Sequence, residues 1–322
     1  MKVLFLVQKE QRVILDRFYD SICRHLGDCE LRWLTSSEQD NLKQYFQSID
    51  VDAYERIIFF LRFKKEIRQV QFIQSIPNLV ILEHDAFQNY IAGKYRGKFS
   101  KHYRKLPWAR VICSGYEVTE KLCSEGFDVE FVPKGYDQAL LSNQGLERDI
   151  ELGFLGSIGN RMYGGRRSLL EALAEQENLV IARTQSGDEY VAMLNRIRIF
   201  VGADVGFGEY MIKNFEAMAC GCLLLTWNQG TQENQALGFQ DMENVVLYNS
   251  IDELREKLAL LRTKPGMTED IASAGQRLVE QHYSWEALGA KVAKAVQLPV
   301  RKKRVRRFIG FQYYSLDSQP GH

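Results

Sequence analysis

Residues 214–226 read NFEAMACGCLLLT, and this stretch decides how the surrounding chain folds. An apolar, helix-like pattern contains one carboxylate, Glu216. Gly221 is placed to stop that helix, because glycine readily adopts the left-handed conformation that ends helices. The strand-like run LLLT follows at once, so the stretch predicts a helix that leads directly into a sheet. The question it raises is why a carboxylate lies in a helix that must pack on that sheet.

The helix around Glu216 is predicted to have two distinct faces. Lys213 and Glu216 are three residues apart and therefore share one face. The apolar side chains share another face, which is expected to pack on the sheet. They are Met211, Phe215, Met218 and Ala219.

The length and composition suit a globular protein of two domains. A chain of 322 residues exceeds one ordinary core, and 45% hydrophobic residues suffice to bury two. The 26% of charged residues and the six prolines argue against a disordered chain. The run VLFLV near the start is too short for a signal sequence, and no stretch approaches the roughly 18 apolar residues that cross a bilayer. We therefore expect a soluble protein whose segment MKVLFLV is a buried strand.

Short apolar runs alternate with longer amphipathic segments, which predicts α/β domains with parallel sheets. The first series of strands is KVLFLV, RIIFFL, NLVILE, RVICSG and VEFVPK, and the second is IELGFLGS, LVIARTQ, RIFVGA, CLLLTW and NVVLY. The polar stretch SNQGLERD between them is interpreted as a linker. The predicted domains are 1–142, 143–285, and a closing helix with a basic tail at 286–322 that packs back toward the first domain. Two doubly wound, Rossmann-like domains facing a central cleft would bind ligands at the carboxyl ends of their strands.

The cysteines indicate a reducing environment. None of the six forms a CxxC pair, so reduced thiols in a cytoplasmic protein are favoured over a disulfide or a metal site. They are Cys23, Cys29, Cys113, Cys123, Cys220 and Cys222.

Charge is distributed unevenly although the formal net charge is only +1. Residues 94–110 hold seven lysines or arginines and no acid, and residues 301–307 hold six. Aromatic residues interleave with the first cluster, which suits an anionic membrane surface or a lipid-linked acceptor. A solvated face and a nucleic-acid site are the alternatives, nucleic acid being the weakest. The residues predicted to form the membrane or acceptor face are Lys94, Arg96, Lys98, Lys101, Arg104, Lys105, Arg301, Lys302, Lys303 and Arg304.

Four blocks of this sequence resemble GT-B glycosyltransferases of the family 4 (glycosyl transferases group 1) type. VICSGYEVTEKLCSEGFDVEFVPKGYD is similar to the end of their first domain, and GFLGSIGNR to the strand and phosphate loop that open the second. FEAMACGCLLLT resembles their donor-binding helix, and IASAGQRLVEQHYSWEAL their closing helices. The resemblance covers roughly residues 80 to 290 and implies the GT-B fold.

The resemblance implies that Glu216 accepts hydrogen bonds from the ribose hydroxyls of a nucleotide-sugar donor, a task suited to an ionised carboxylate. An ordinary surface or salt-bridged glutamate is the alternative. Family members carry a second glutamate eight residues earlier to hold the transferred sugar, and that position is Gly208 here. Glu209 or Asp204 could substitute for it if the loop is rebuilt.

The donor diphosphate requires cations or backbone amides, because negative charge develops on the leaving group. Gly156, Ser157 and Arg161 follow a predicted strand and are expected to bind it. Arg166 and Arg167 open the next helix, where a cation opposes the helix dipole, which hints at an anionic partner.

A second glycine-rich turn could offer further amides to the diphosphate, and a plain loop is the alternative. Gly206 and Gly208 precede a helix whose N-terminus can hold an anion. Lys213 is assigned to donor binding. The alternative is that Lys213 only pairs with Glu209, four residues earlier, on the surface.

His84 and Asp85 follow the predicted strand NLVIL. The resemblance implies a histidine near the sugar at this place, and imidazole can donate a hydrogen bond or exchange a proton near neutral pH. A structural histidine is the alternative. Asp-x-Asp is absent from the second-domain loops, so metal-independent transfer without a cofactor is favoured.

The sequence thus indicates a retaining glycosyltransferase that moves a sugar from a nucleotide-sugar donor to a lipid-linked or lipopolysaccharide-type acceptor in cell-surface polysaccharide biosynthesis. It would act in the cytoplasm, peripherally on the inner face of the membrane. A GT-B sugar-nucleotide epimerase and a non-catalytic nucleotide-sugar-binding subunit remain as alternatives.

Overall fold

The structure, a computed structural model, describes residues 1–9, 15–159, 164–308 and 311–317. The chain divides into two compact units. The first unit comprises Met1–Ser114, Val118–Val132 and Gly289–His322, and the second comprises Gly115–Glu117 and Pro133–Leu288.

The first unit is built on a six-stranded parallel sheet in the order β2-β1-β3-β4-β5-β6. Its strands are β1 (Val3–Gln8), β2 (Cys29–Leu34), β3 (Arg56–Phe60), β4 (Leu79–Glu83), β5 (Arg110–Cys113) and β6 (Asp128–Phe131). All six residues of β1 are buried, as expected for a central strand of a parallel sheet that is covered on both faces. The helices are α1 (Asp16–Leu26), α2 (Ser36–Asp40), α3 (Leu42–Tyr45), α4 (Phe63–Glu66), α5 (Val70–Ile73), α6 (Lys98–Tyr103) and α7 (Tyr116–Ser124).

The second unit contains a five-stranded parallel sheet in the order β11-β10-β9-β7-β8. Its strands are β7 (Ile150–Leu155), β8 (Leu179–Ala182), β9 (Ile197–Gly202), β10 (Leu223–Trp227) and β11 (Val246–Tyr248). Its helices are α8 (Gly164–Ala174), α9 (Asp188–Arg196), α10 (Ile212–Ala219), α11 (Thr231–Leu237), α12 (Ile251–Thr263) and α13 (Pro265–His282). Because the chain turns to opposite sides after β7 and after β9, the gap between these two strands is the switch point at which such sheets bind ligands.

The final part of the chain consists of α14 (Trp285–Gln297) and a β-hairpin of β12 (Lys303–Phe308) and β13 (Phe311–Leu316). The hairpin lies against the first unit through Lys303. The Nζ of this lysine donates to the carbonyl oxygens of residues 74, 75 and 76, each at 3.0 Å. It also lies over the rings of Trp108 and Tyr314, at 5.4 and 5.1 Å from their centroids. Burial lowers the pKa of Lys303 to about 8.

The fold class predicted from the sequence, two doubly wound parallel-sheet domains, is confirmed. All ten predicted strands are present, as β1 and β3–β11. The prediction missed β2, whose sequence CELRWL mixes charged and apolar residues because this strand lies at the sheet edge. It also missed the hairpin, since the charge run RKKRVRR gives no apolar signal although most of it forms β12.

The second unit begins at Pro133, whereas the sequence analysis places residues up to 142 in the first domain. The backbone explains this division. The N–H of Tyr136 donates to the carbonyl of Tyr283, and the N–H of Trp285 donates to the carbonyl of Tyr136, both at 3.0 Å. A Cβ on Gly135 would lie 2.0 Å from the Tyr283 carbonyl oxygen, so only glycine permits this approach.

Arg110, on β5, holds the C-terminal end of α14. Its guanidinium donates to the carbonyl oxygens of Ala295 (2.9 Å) and Pro299 (2.8 Å), and it pairs with Asp128 at 3.1 Å. The last carbonyl groups of a helix have no partners within the helix, and a cation complements the dipole there. Although the sequence analysis counts Arg110 within the basic cluster, its side chain is only 6% exposed and has a structural role.

The Arg110→Ala substitution should lower the free energy of unfolding by about 3 kcal/mol, because it leaves a half-buried carboxylate and the carbonyl groups at the end of α14 and just beyond it without their donor. Urea denaturation measures this change. The Arg104→Ala variant is the control, since Arg104 is 62% exposed in its pair with Glu125 and such pairs contribute roughly 0–1 kcal/mol. Equal unfolding midpoints for the two variants would contradict the role of Arg110.

Candidate functional site

The α10 helix carries Glu216 and ends as the sequence predicts. Gly221 has a φ of +77°, and its N–H donates to the carbonyl of Met218 at 2.9 Å. The N–H of Cys222 donates to the carbonyl of Ala217 at 3.0 Å, which closes the helix immediately before β10. Glu216 is only 5% exposed, so it is not an ordinary surface glutamate.

Two side chains, one of them beside a glycine, lie next to Glu216 near the first turns of α9 and α10. The hydroxyl of Tyr190, on α9, donates to Glu216 Oε2 at 2.6 Å. The Nζ of Lys213, one turn earlier on α10, lies 4.8 Å from the centroid of the Tyr190 ring. A Cβ built on Gly156, just after β7, would lie 3.4 Å from Lys213 Cε. The structure therefore brings together Glu216, Lys213 and Gly156, three of the predicted donor-binding residues.

The electrostatics of Glu216 reflect this enclosure. Burial raises the pKa of Glu216 above its usual value of 4.5, whereas Lys213 and the hydroxyl of Tyr190 lower it. Asp137 adds a smaller effect that raises it. Burial also raises the pKa of Tyr190 well above 10, so its hydroxyl keeps its proton and acts as a donor.

The loop after β7 holds the residues predicted to bind a diphosphate. The N–H of Gly156 donates to the carbonyl of Ala182 at 3.0 Å, which ties the start of this loop to β8. Ser157 follows and is half-buried. The Nε of Arg167 donates to the carbonyl of Ile158 at 2.9 Å. Arg161, the predicted phosphate clamp, lies outside the described residues.

The position of Arg166 in the sequence suggests an anionic partner. In the structure this partner is a carboxylate of the protein itself. Its guanidinium pairs with Asp204 Oδ1 at 2.6 Å, and both side chains are buried. The other oxygen of Asp204 accepts from the N–H of Met211 at 3.2 Å and from Asn214 Nδ2 at 2.9 Å. Asp204 thereby fixes the first turn of α10.

The glycine-rich turn before α10 departs from the pattern of the resembled family. Gly206 and Gly208 have φ values of +74° and +72°, a conformation in which other residues are strained. The N–H of Gly208 donates to Gln229 Oε1 at 2.9 Å. Glu209 forms a buried ion pair with Lys134. Both carboxylates considered as substitutes for a glutamate at 208, Glu209 and Asp204, therefore take part in buried ion pairs.

His84 and Asp85 lie in the first unit, directly after β4. The ring of His84 packs edge-on against Phe60, with centroids 5.0 Å apart, and lies 6.1 Å from the ring of Phe18. Asp85 is exposed, and its N–H donates to Glu83 Oε1 at 2.7 Å. The imidazole is half-buried and held in position by aromatic neighbours.

The basic clusters differ in part from the sequence interpretation. The exposed cations are Lys94, Arg96, Lys98, Lys101, Arg104, Lys105, Arg301, Lys302 and Arg304. Lys303 is half-buried and anchors the hairpin. The interleaved aromatic residues were interpreted as interfacial rings, and for three of them this is wrong. Phe99, Tyr103 and Trp108 are each 1% exposed. Phe99 and Tyr103 lie on the core-facing side of α6, and Trp108 is buried in the segment between α6 and β5.

Among the described residues, no group of three or more His, Cys, Asp or Glu side chains could hold a metal ion. Over the same ranges, no helix is long and apolar enough to cross a bilayer.

The sequence analysis missed Tyr190 and Lys134. Tyr190 lies on the amphipathic segment EYVAMLNRI, where an aromatic residue is interpreted as core by default. Lys134 occurs in the quoted block VPKGYD, but nothing in the sequence pairs it with Glu209, 75 residues later. Only the fold brings these residues to the site.

Residues 156–293 match the family model described as glycosyl transferase-like. Among solved structures, sucrose-phosphate synthase from Thermosynechococcus elongatus is similar with a TM-score of 0.68 and 12% identity, over 91% of this chain and 98% of that chain. Anabaena HepE in complex with UDP and glucose has a TM-score of 0.67 and 13% identity, over 92% of this chain and 99% of that chain. A variant of phage T4 BGT in complex with UDP-glucose has a TM-score of 0.58 and 12% identity, over 92% and 100%.

No curated protein matches this sequence significantly. The structural similarities, all at low identity, show the fold, and the family model adds the glycosyltransferase assignment for the unit that contains Glu216. The chain has the GT-B fold of glycosyltransferases, and its residues 156–293 match the family model described as glycosyl transferase-like.

Proposed function

We propose that this protein transfers a sugar from a nucleotide-sugar donor to a glycan acceptor, with Glu216 as the ribose-binding residue. The observation that carries the proposal is the arrangement of Glu216, Lys213 and Gly156 at the switch point of the second sheet. Burial of a carboxylate costs free energy unless it is hydrogen-bonded or paired, and Tyr190 and Lys213 offset this cost for Glu216. HepE and phage T4 BGT, which share the fold, are described in complexes with UDP or UDP-glucose, which makes UDP the first nucleotide to test.

The diphosphate would lie between the loop after β7 and the start of α10. Gly156 and Ser157 line this place and the ammonium of Lys213 lies beside them, and we assign Arg161 to the same task. The glycine turn at Gly206 and Gly208 would let the diphosphate approach the N-terminus of α10, although the Gly208 N–H itself is bound to Gln229. These groups would stabilise the charge that develops on the leaving nucleoside diphosphate, which is the work that a metal ion does in other enzymes. We therefore propose metal-independent transfer.

His84 and Asp85 are proposed to act on the transferred sugar. Phe60 and Phe18 hold the imidazole of His84 in one orientation, so that it can donate a hydrogen bond to the sugar without a large cost in side-chain entropy. Retention of configuration follows from the resemblance to family 4 enzymes.

The acceptor is proposed to be lipid-linked or of the lipopolysaccharide type, presented at an anionic membrane surface. The exposed cations of residues 94–105 support this proposal. The hairpin adds Arg304 and Arg306, which are exposed. Each surface lysine or arginine contributes about 1 kcal/mol near an anionic membrane, within the Debye length.

One observation favours a second candidate, a subunit that binds the donor but does not catalyse transfer. The position of the family's sugar-binding glutamate is Gly208, and the nearby carboxylates of Asp204 and Glu209 are already ion-paired. Release of UDP from UDP-glucose, with and without acceptor lipid, distinguishes the two. A binding subunit would bind UDP-glucose and release no UDP.

The Glu216→Gln substitution should weaken UDP binding by roughly 10- to 100-fold, because the hydrogen bonds from the ribose lose their charged acceptor. Calorimetric titration with UDP measures this change. Glu171→Gln, an exposed position on α8, is the control and should bind as the unmodified protein does. If both variants bind UDP equally well, Glu216 is not the ribose ligand.

The His84→Ala substitution should reduce turnover by roughly 10²-fold or more while UDP affinity changes little, since the histidine would act on the sugar and not on the nucleotide. Steady-state kinetics with UDP-glucose and calorimetry with UDP separate these effects. His25→Ala, at an exposed position on α1, is the matched control. Unchanged turnover in the His84 variant would make this histidine structural.

Liposomes that contain anionic lipid should retain the protein at low salt and release it at high salt, whereas neutral liposomes should not retain it. Charge reversal at Arg304 and Arg306 should weaken this retention and leave UDP binding intact. The same reversal at two exposed cations of the second unit, Arg255 and Lys264, is the control. Binding of duplex DNA in place of liposomes would refute the membrane proposal.

A further inference from the structure

Tyr190 contacts two of the proposed donor-binding residues at once. Its hydroxyl donates to Glu216 Oε2 at 2.6 Å, and its ring lies 4.8 Å from Lys213 Nζ. The tyrosine comes from α9, whereas Glu216 and Lys213 come from α10. One side chain thus links the carboxylate proposed for the ribose to the ammonium proposed for the diphosphate.

The hydrogen bond has a direct effect on the geometry of Glu216. A carboxylate can rotate about its last torsion angle at little cost, because this torsion has a broad energy profile. The Tyr190 hydroxyl engages Oε2 and restricts that rotation, which leaves Oε1 oriented for a ligand. A charge-assisted hydrogen bond of this kind is stronger than one between neutral groups.

The ring has a separate effect on Lys213. A lysine amine near an aromatic face is attracted by the ring quadrupole. Lys213 Cε also lies beside Gly156, where a Cβ would approach it to 3.4 Å. The ring and the glycine together confine the lysine to the start of the loop after β7.

We propose that Tyr190 is a positioning residue for donor binding, which orients the Glu216 carboxylate through its hydroxyl and Lys213 through its ring. This inference rests on the proposed function. It goes further because it gives Tyr190 on α9 a role in donor binding that is exerted through Glu216 and Lys213.

The same contact governs the ionisation of Glu216. The titratable groups that act on this carboxylate are Lys213 on α10, Tyr190 on α9 and Asp137 in the segment that follows β6. Glu216 in turn helps to raise the pKa of the Cys220 thiol, just after α10. Burial raises the pKa of Glu216, and the Tyr190 hydroxyl opposes that effect by bonding to the ionised form. Removing the hydroxyl must therefore raise the pKa further, so that the ionised form is lost at a higher pH as the solution is acidified.

The first test needs no ligand. Protein labelled with ¹³C at the glutamate side chains is titrated by NMR between about pH 4 and 8, with the Glu216 signal assigned through Glu216→Gln. The Glu216 pKa should be higher in Tyr190→Phe than in the unmodified protein. Tyr54→Phe is the control, because it removes a similar tyrosine–carboxylate hydrogen bond, to Glu30, in the first unit. A Glu216 pKa that is the same in the Tyr190→Phe and unmodified proteins would overturn the proposal.

The second test measures UDP affinity against pH. Tyr190→Phe should weaken UDP binding roughly tenfold, and more strongly as the pH is lowered, because the loss of the hydroxyl favours protonation of Glu216. Tyr190→Leu should weaken binding more at every pH, since it also removes the ring from Lys213. If Glu216→Gln binds UDP normally, the proposed function fails. If Glu216→Gln binds weakly while both Tyr190 variants bind normally, only the role of Tyr190 is wrong.

Discussion

The buried ion pair between Arg166 and Asp204 holds together the two loops on which the candidate donor site is built. Arg166 stands at the start of α8, after the loop that follows β7, and Asp204 stands directly after β9. Asp204 also accepts hydrogen bonds from Met211 and Asn214 and so fixes the first turn of α10. Because removal of either member of such a pair leaves an uncompensated buried charge, the pair fixes the start of α8 against the segment that follows β9. The positions of Glu216 and Lys213 depend on it.

This arrangement also limits what the site can do. The charges of Asp204 and Glu209 are committed to Arg166 and Lys134, and both pairs are buried. The segment between Asp204 and Glu209 contains two glycines in the left-handed region, Gly206 and Gly208. Gly208 occupies the position where the resembled family carries a glutamate. The chain thus retains the carboxylate on α10 and replaces the earlier one with a backbone turn. Any recognition of the transferred sugar must then use other groups than a carboxylate at position 208.

The sequence predicted those parts of the fold in which a strand is recognisable from its own apolar residues. Apolar runs marked ten strands, of which β6 and β8 are only half-buried, and the EAMACG block marked Glu216 together with the glycine that ends its helix. The edge strand CELRWL and the basic strand KRVRRF gave no such signal, because their faces are partly exposed. Contacts between residues distant in sequence could not be predicted either. The periodicity of α9 shows which face is apolar, but it does not show that Tyr190 contacts Glu216. Burial reversed one interpretation, for the rings of Phe99, Tyr103 and Trp108 belong to the core and not to the surface.

The C-terminal hairpin has a consequence for the behaviour of the protein in concentrated solution. A two-stranded sheet has two open edges, each with backbone groups that can pair with another chain. Val305 and Tyr313 are 47% and 56% exposed, so these edges also present apolar surface. Arg304 and Arg306 alternate with these side chains, and like charges on neighbouring copies repel each other. The two arginines therefore protect the hairpin from aggregation. This protection would favour keeping them even in a relative that does not bind membranes.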